Sequence, residues 1–183
     1  MAAIVKPPVR APRPARDKAP ALPPFDALDR THAQVLDVLK QFNRLLDHLG
    51  DNGPDDEARE SARQIGAFFS GHARQHHADE ERFVFPALLT STDAALVQAV
   101  KRLQQDHGWL EEDWLELEPQ IDAIALGYSW YDLPMLRAAL PIFVALYEEH
   151  IGLEESLIYP EAKRRQAALS AGADTRAAVP SSS

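Results

Sequence analysis

The chain has no cysteine among its 183 residues. This absence excludes a disulfide framework, a thiolate metal ligand and a cysteine nucleophile. A chain without disulfides is typical of a reducing cytoplasm, and we expect this protein to be cytoplasmic. Ligands for any metal ion would have to come from the other polar side chains, which include seven histidines and 28 acidic residues.

Long apolar runs are also absent. No run approaches the roughly 20 residues that span a bilayer, and the basic N-terminus is not followed by the apolar segment of a secretory signal. The formal net charge is −9 although residues 1–20 are basic, so the rest of the chain is acidic. We therefore expect no membrane insertion and no nucleic-acid binding by the folded domain, and the sequence indicates no particular protein partner.

The alternating apolar pattern of a half-buried strand is missing as well, so we expect no sheet. Apolar residues instead recur at three- and four-residue steps, as in Leu39, Phe42 and Leu46, which predicts amphipathic helices. The predicted helices cover residues 25–49, 55–90, 93–126 and 134–168. Short turns join them, and the fold class predicted for residues 25–168 is all-α, an antiparallel up-down-up-down four-helix bundle.

Proline marks the irregular parts of this chain. Residues 1–24 hold seven of the fourteen prolines, which predicts a disordered Pro/Ala/Arg-rich arm. Residues 169–183 are small and polar and are predicted to form a disordered tail. Proline inside a helix removes a backbone hydrogen bond, so we expect kinks at Pro119 and Pro141 and a bend at Pro86.

One stretch, HHADEERFVFP, occurs twice in altered form. It spans residues 76–86 and returns as HIGLEESLIYP over residues 150–160. Each copy has a histidine, a glutamate four residues later and an aromatic-proline ending. Histidine and glutamate at this spacing lie on one helix face, so each copy can present an imidazole and a carboxylate to the same site.

The predicted helices place four histidines at one height in the bundle. The same number of residues separates His76 from the turn at Thr90 and Asp93 from His107, about 21 Å of helix in each case. His32 and His150 fall near this level on the other two helices. Each half of the chain is therefore a helix with one histidine followed by a helix with a His-x-x-x-Glu pair.

This constellation predicts a dinuclear metal site. Imidazole and carboxylate suit iron, manganese and zinc. A glutamate from each of helices 2 and 4 can bridge two cations, and the donor count leaves coordination positions open for water, oxygen or peroxide. The predicted metal ligands are His32, His76, Glu80, His107, His150 and Glu154.

Several neighbouring side chains have weaker claims. His72 and Glu111 lie one turn from predicted ligands and are possible additional ligands. His77 shares no face with His76, so a surface or edge position is expected. Glu81 and Glu155 are expected to accept hydrogen bonds or pair with arginine. Tyr147 and Tyr159 are either hydrogen-bond donors behind the ligands or packed aromatics, and His48 is expected at the surface, far from the site.

Taken together, the order His, His-x-x-x-Glu, His, His-x-x-x-Glu over residues 25–165 resembles the hemerythrin-like, or HHE cation-binding, domain family. The resemblance implies a four-helix bundle with a non-haem di-iron centre, manganese or zinc being less favoured. It also implies that the four histidines are terminal ligands and that Glu80 and Glu154 are bridging carboxylates. A ferritin-like site is disfavoured, because Asp29 and Gln104 stand where Glu-x-x-His would need glutamate.

The sequence departs from the oxygen-carrying members of this family. Those proteins have His-x-x-x-His on the third helix and a last carboxylate five residues after its histidine, whereas here Glu111 follows His107 and Glu154 follows His150 by four. We therefore expect a protein that binds oxygen, a related diatomic ligand or peroxide in sensing, storage or oxidative or nitrosative stress. The alternative is a di-iron oxidase or a peroxide-decomposing, catalase-like enzyme.

Overall fold

A computed structural model of the protein describes residues 25–177, and these residues form four helices joined by short turns. Helix α1 is Phe25–Asn52, α2 covers residues 56–89, α3 is Ala94–Ala125 and α4 covers residues 133–177. The described part of the chain contains no strand, as expected. No helix in it is long and apolar enough to cross a membrane. The predicted arm, residues 1–24, lies outside the described residues.

Glycine and aspartate set the turns between the helices. Gly53 and Gly127 have positive φ angles of 74° and 78°, a conformation that glycine adopts without strain after a helix end. Asp55, Asp93 and Asp132 each accept a hydrogen bond from a backbone N–H of the first turn that follows. The first helix ends at Asn52 rather than Leu49, because the residue with positive φ is Gly53.

Helix α4 is longer than the sequence indicated. It continues to Ala177, past the expected end at Ala168, and therefore includes part of the predicted tail. After Pro160, residues 161–177 contain no proline and no glycine with a positive φ angle that would end the helix. Pro119 and Pro141 are exposed and lie within continuous α-helical segments, and the kinks expected there stay predictions.

Two π-helical segments interrupt α2 and α4 at the duplicated motif. They are Glu80–Val84 and Glu154–Ile158, and each begins at a predicted ligand. In each segment the aromatic residue before the proline donates its N–H five residues back, from Phe85 to Glu80 and from Tyr159 to Glu154. The next residue is proline, which has no N–H and whose ring clashes with the carbonyl four residues earlier, so the wider turn relieves the clash. A third π-helical segment, Phe68–Ala73, precedes the motif in α2 and has no such proline.

The helices contact one another in a ring, α1 with α2 and α4, and α3 with α2 and α4. This arrangement is consistent with a four-helix bundle. The up-down-up-down direction of the helices stays a prediction.

Two apolar clusters fill the interior. One, which includes Phe42, Phe69 and Trp114, is built mainly from the parts of the helices nearest the α1–α2 and α3–α4 turns. The other includes Phe85, Leu103 and Tyr159, nearer the α2–α3 turn. The buried polar residues of the molecule are found along the helices between these clusters, so a polar layer divides the core.

Candidate metal centre

The six predicted ligands come together in this polar layer, and all six are buried. Helix α1 contributes His32 and α3 contributes His107, while α2 and α4 each contribute a histidine and a glutamate. Glu80 and Glu154 have no exposed surface. Their helices carry a histidine and a glutamate on one face because four residues make slightly more than one helical turn.

The imidazoles converge on the two carboxylates. Nε2 of His76 lies 3.6 Å and Nε2 of His107 lies 3.5 Å from Glu80. Nε2 of His32 and of His150 lie 3.1 Å and 3.3 Å from Oε2 of Glu154. All four histidines therefore present the same ring nitrogen to the centre of the layer.

These atoms form two groups that share both glutamates. The first metal group is His32, His76, Glu80 and Glu154. The second metal group is Glu80, His107, His150 and Glu154. Within each group one ligand atom per residue lies within 4.8 Å of every other, a geometry that can hold a metal ion. The sharing of Glu80 and Glu154 is what two carboxylates bridging a pair of cations require.

The donor set fits a cation on two further grounds. Adjacent ligands at roughly 2.0–2.2 Å from one metal ion lie about 3–3.5 Å apart, close to the imidazole–carboxylate separations in this layer. Many of its polar atoms also lack a hydrogen-bond partner among the described residues, including Nε2 of His76, His107 and His150 and both Glu154 oxygens. A buried polar atom left without a partner costs about 1–3 kcal/mol, and bound cations would remove that penalty.

The second glutamate of each motif copy orients a histidine of a neighbouring helix. Oε1 of Glu155 accepts a hydrogen bond from Nδ1 of His32, and Oε1 of Glu81 accepts one from Nδ1 of His107, both at 3.1 Å. A proton on Nδ1 leaves Nε2 free to bind a metal ion. The prediction that Glu81 and Glu155 accept hydrogen bonds is confirmed.

Asp106 is a further carboxylate that the sequence analysis missed. It is 1% exposed, its Oδ2 lies 3.9 Å from Nδ1 of His150, and Arg102 lies 3.7 Å away on the same helix. Its carboxylate therefore faces Nδ1 of His150 on the same side as Glu155 faces Nδ1 of His32, but it lies beyond hydrogen-bond distance. Its only sequence signal is that it directly precedes His107, and adjacent residues on a helix point in different directions.

His77 is half-buried at the edge of the layer, and its ring lies against two of the predicted ligands. Its ring stacks on His107 with centroids 4.2 Å apart and lies 5.4 Å from His150. It forms a third possible metal-holding group with these two histidines. One residue turns a helix by about 100°, which carries the side chain from the seam where His76 meets His32 to the side facing α3 and α4.

Glu111 and His72, the two possible additional ligands, belong to neither metal group. Glu111 accepts a hydrogen bond from Nε of Arg74 at 2.8 Å, and both side chains are about 40% exposed. His72 is exposed and stacks on Phe68. His48 lies near the other end of α1, where it is hydrogen-bonded to Asp55, as expected for a residue far from the site.

Aromatic rings cover the layer in a nearly symmetric way. Phe85 stacks on His107 with centroids 5.5 Å apart, and Tyr159 stacks on His32 at 5.2 Å. The Tyr159 hydroxyl also donates a hydrogen bond to Glu80 and lies 3.1 Å from Nε2 of His32. Tyr147 is buried in the apolar cluster on the other side of the layer, with its ring 6.0 Å from that of His77.

Burial keeps most of the imidazoles neutral. It lowers the pKa of His76 to about 4, against the pull of Glu80, and it lowers the pKa of His150 and, more strongly, of His77. A neutral imidazole is the form that binds a metal ion, so these residues are ready to act as ligands at neutral pH.

The two central carboxylates differ in their pKa shifts. Burial and the charge of Glu80 raise the pKa of Glu154 well above its usual value. Burial also disfavours the charged form of Glu80, but the neighbouring imidazoles of His107 and His76 outweigh burial and lower the pKa of Glu80. Burial raises the pKa of Tyr159. The metal-free layer thus favours one carboxylate charge over two, and two cations would reverse that preference.

A surface cavity of about 320 Å³ lies beside Tyr159, whose hydroxyl contacts the first metal group. Tyr159 and Glu155 line it together with Asp29 and Lys163, which are joined by a 3.2 Å ion pair. A larger cavity, about 420 Å³, lies between α1 and α2 around Gln41 and Glu57 and is remote from the polar layer. Of these two cavities, the smaller one lies beside the site.

Comparisons with known proteins agree with this geometry. The profile of the family described as hemerythrin HHE cation binding domain matches residues 24–167. An uncharacterized protein of Haemophilus influenzae is 28% identical over 134 residues, which cover 73% of this chain and 76% of that protein. No solved structure matches the chain.

Proposed function

Since the chain belongs to the hemerythrin HHE cation-binding domain family, we propose that it holds two iron ions and binds oxygen or a related small ligand at them. The observation that carries this proposal is that two His/Glu groups share both buried carboxylates. A protein of this kind would act in sensing, in storage or in the response to oxidative or nitrosative stress. Its cytoplasmic location stays a prediction.

Each residue has a defined part in this function. His32 and His76 would hold one iron, and His107 and His150 the other, with His77 as a further nitrogen donor on that side. Glu80 and Glu154 would supply the carboxylates that both irons share. Glu81 and Glu155 fix the ring orientation and the Nδ1 proton of the histidines in front of them, and Asp106 places a carboxylate near Nδ1 of His150.

The small ligand would take coordination positions that these side chains leave open. The first metal group supplies two nitrogens and two carboxylates, fewer donors than a six-coordinate ion accepts. An iron pair supplies the electrons that make oxygen binding possible. The apolar clusters on both sides exclude bulk water, and the cavity beside Tyr159 gives a small molecule an approach.

Metal analysis with optical spectroscopy on aerobically purified protein tests this proposal. We expect about two irons per chain and the charge-transfer bands of an oxo-bridged iron pair. His76→Ala and Glu80→Ala should each reduce iron content, whereas His72→Ala should not, because His72 is an exposed histidine one turn away. Unchanged metal uptake in the first two variants, with folding confirmed by circular dichroism, would contradict the assignment.

A peroxide-decomposing enzyme is the second candidate, and the Tyr159 hydroxyl favours it. This hydroxyl lies among the ligands and can exchange a proton with Glu80, a step that turnover of peroxide requires. Steady oxygen release from peroxide by the iron-loaded protein would support the enzyme. A stable oxygen adduct without turnover would support the binding protein.

A further inference from the structure

We propose that Tyr159 is itself a metal ligand, and that it makes the two cation positions chemically different. Its phenol oxygen would bind the ion of the first metal group, beside His32 and His76. This inference rests on the proposed metal-binding function and adds a protein donor that the His-and-Glu motif does not contain.

The internal duplication of the chain shows how Tyr159 is placed. Residues 76–86 align with residues 150–160, so Phe85 and Tyr159 occupy equivalent positions, each directly before the proline. Both rings stack on the histidine of a neighbouring helix, at 5.5 Å and 5.2 Å and with interplanar angles of 16° and 11°. The two halves therefore place an aromatic ring in the same way, and only one half adds a hydroxyl.

That hydroxyl lies at the separation expected of a ligand. It is 3.1 Å from Nε2 of His32, the distance that also separates this nitrogen from Oε2 of Glu154, and it contacts Oε1 of Glu80. These three partners all belong to the first metal group. Ligands adjacent around one ion at roughly 2.1 Å lie about 3 Å apart, so the phenol oxygen extends the same coordination shell.

The proton count supports coordination over simple hydrogen bonding. With its proton on Nδ1, where Glu155 accepts it, His32 keeps a lone pair on Nε2. Tyr159 gives its one O–H proton to Glu80. The phenol oxygen and Nε2 then face each other with lone pairs only, a contact that a cation between them would make favourable.

The second metal group has a different extra donor. His77 stacks beside His107 and His150, and its equivalent in the other motif copy is Ile151, which has no donor atom. One cation would therefore have three imidazoles, and the other two imidazoles and a phenolate. A phenolate oxygen is a harder donor than imidazole and is an established ligand of ferric iron, so it favours the oxidised state of the first ion.

When Tyr159 binds, the metal–oxygen bond replaces the O–H bond, and the proton leaves to solvent through the neighbouring carboxylate. Zinc, which is colourless, is a direct probe of that exchange. Titration of the metal-free protein with zinc should produce the near-ultraviolet difference spectrum of one ionised tyrosine. In the ferric protein, the visible charge-transfer band and the resonance Raman modes of an iron-bound phenolate should appear.

Tyr159→Phe should abolish both signals while zinc still binds and the helical circular dichroism is retained. Tyr147→Phe is the matched control, since Tyr147 is also buried and lies beside His77 but contacts neither glutamate of the layer, and it should leave both signals intact. Persistence of the signals in Tyr159→Phe would overturn the inference.

If Tyr159→Phe fails to fold, measurements on the wild-type protein alone still test the inference. Metal-loaded wild type without tyrosine ionisation and without phenolate modes would overturn the inference while leaving the proposed function intact. Wild type that takes up neither zinc nor iron would instead contradict the proposed function.

Discussion

At the scale of single residues, the layer depends on carboxylates that do not belong to either metal group. Glu81 and Glu155 come from α2 and α4, and each holds Nδ1 of a histidine on another helix at 3.1 Å. Both are partly exposed, so their substitution leaves no buried cavity. They allow the orientation of a ligand to be changed without removal of the ligand itself.

Glu81→Gln and Glu155→Gln should each weaken metal binding by about 10- to 100-fold, because the amide no longer favours the Nδ1 proton and ring orientation as a carboxylate does. Zinc affinity measured by competition with a chelator checks this. Glu149→Gln is the control, since Glu149 pairs with Arg102 at the surface. Equal affinities in all three variants would contradict an orienting role.

His77→Gln should lower the affinity of one of the two metal positions and leave the other nearly unchanged, because His77 is near the second metal group only. Calorimetric titration with zinc should then resolve two unequal binding steps. His72→Gln should behave like wild type. If both zinc-binding steps of His77→Gln are the same as those of the wild type, His77 is not a ligand.

The sequence predicted which six residues come together in the polar layer but not which others surround them. Spacing of four on a helix identifies His76 with Glu80 and His150 with Glu154, and chain length between turns brings His32 and His107 to the same level. Asp106 and His77 were missed because their importance depends on which helix they face, and that direction is set by packing. The stacking of Tyr159 on His32 is a contact between α1 and α4, which local patterns do not reveal.

At the scale of helices, the π-helical segments are the main feature that the sequence left undescribed. Capping aspartates and the glycine turns predicted the helix ends at the three turns to within a few residues. The end of α4 at Ala177 lies well beyond the expected Ala168. Pro86 and Pro160 indicated a disturbance of α2 and α4, and the structure shows that the disturbance is a change of hydrogen-bond register. This register holds Glu80 and Glu154 at the start of each wide turn and so positions the two carboxylates that both metal groups share.

Pro86→Ala and Pro160→Ala should raise the thermal stability of the metal-free protein and weaken its metal binding. Alanine restores a backbone N–H and relieves the ring clash, and proline inside a helix costs about 3 kcal/mol. The α-helical register then becomes available and turns the glutamate away from its present direction. Thermal melts and zinc titrations measure the two effects.

Pro141→Ala provides the control for these variants, because Pro141 is exposed and lies in α4 outside the π-helical segments. It should raise the melting temperature without a change in zinc affinity. Unaltered zinc affinity in Pro86→Ala and Pro160→Ala would show that the π-helical register does not serve the site.

At the scale of the whole molecule, a polar layer divides the apolar core, and its histidines make stability depend on pH. In the metal-free protein the unfolded chain protonates His76 near its usual pKa of 6.5, whereas the folded chain does so only near 4. The free energy of unfolding therefore falls as pH decreases through this window. At one pH unit below 6.5, the lowered pKa of His76 alone reduces the free energy of unfolding by about 1 kcal/mol. The lowered pKa values of His77 and His150 act in the same direction.

The melting temperature of the metal-free protein should accordingly decrease as the pH falls from about 7 to about 5, roughly the range over which histidine titrates. Glu154 acts in the opposite sense, because its raised pKa lets the folded chain keep a proton that the unfolded chain releases. Glu154→Gln removes that contribution, so the decrease should be steeper in this variant. A flat profile in Glu154→Gln would contradict the burial of neutral histidines.

Each metal group takes one glutamate from each half of the chain, and this sharing has a mechanical consequence. Glu80 follows His76 in the first half, and Glu154 follows His150 in the second, yet each metal group needs both glutamates. Neither helical hairpin can complete a cation position by itself, so a bound pair of ions ties one hairpin to the other across the polar layer. In a chain without cysteine, this tie is a crosslink that a chelator, rather than a reductant, would open.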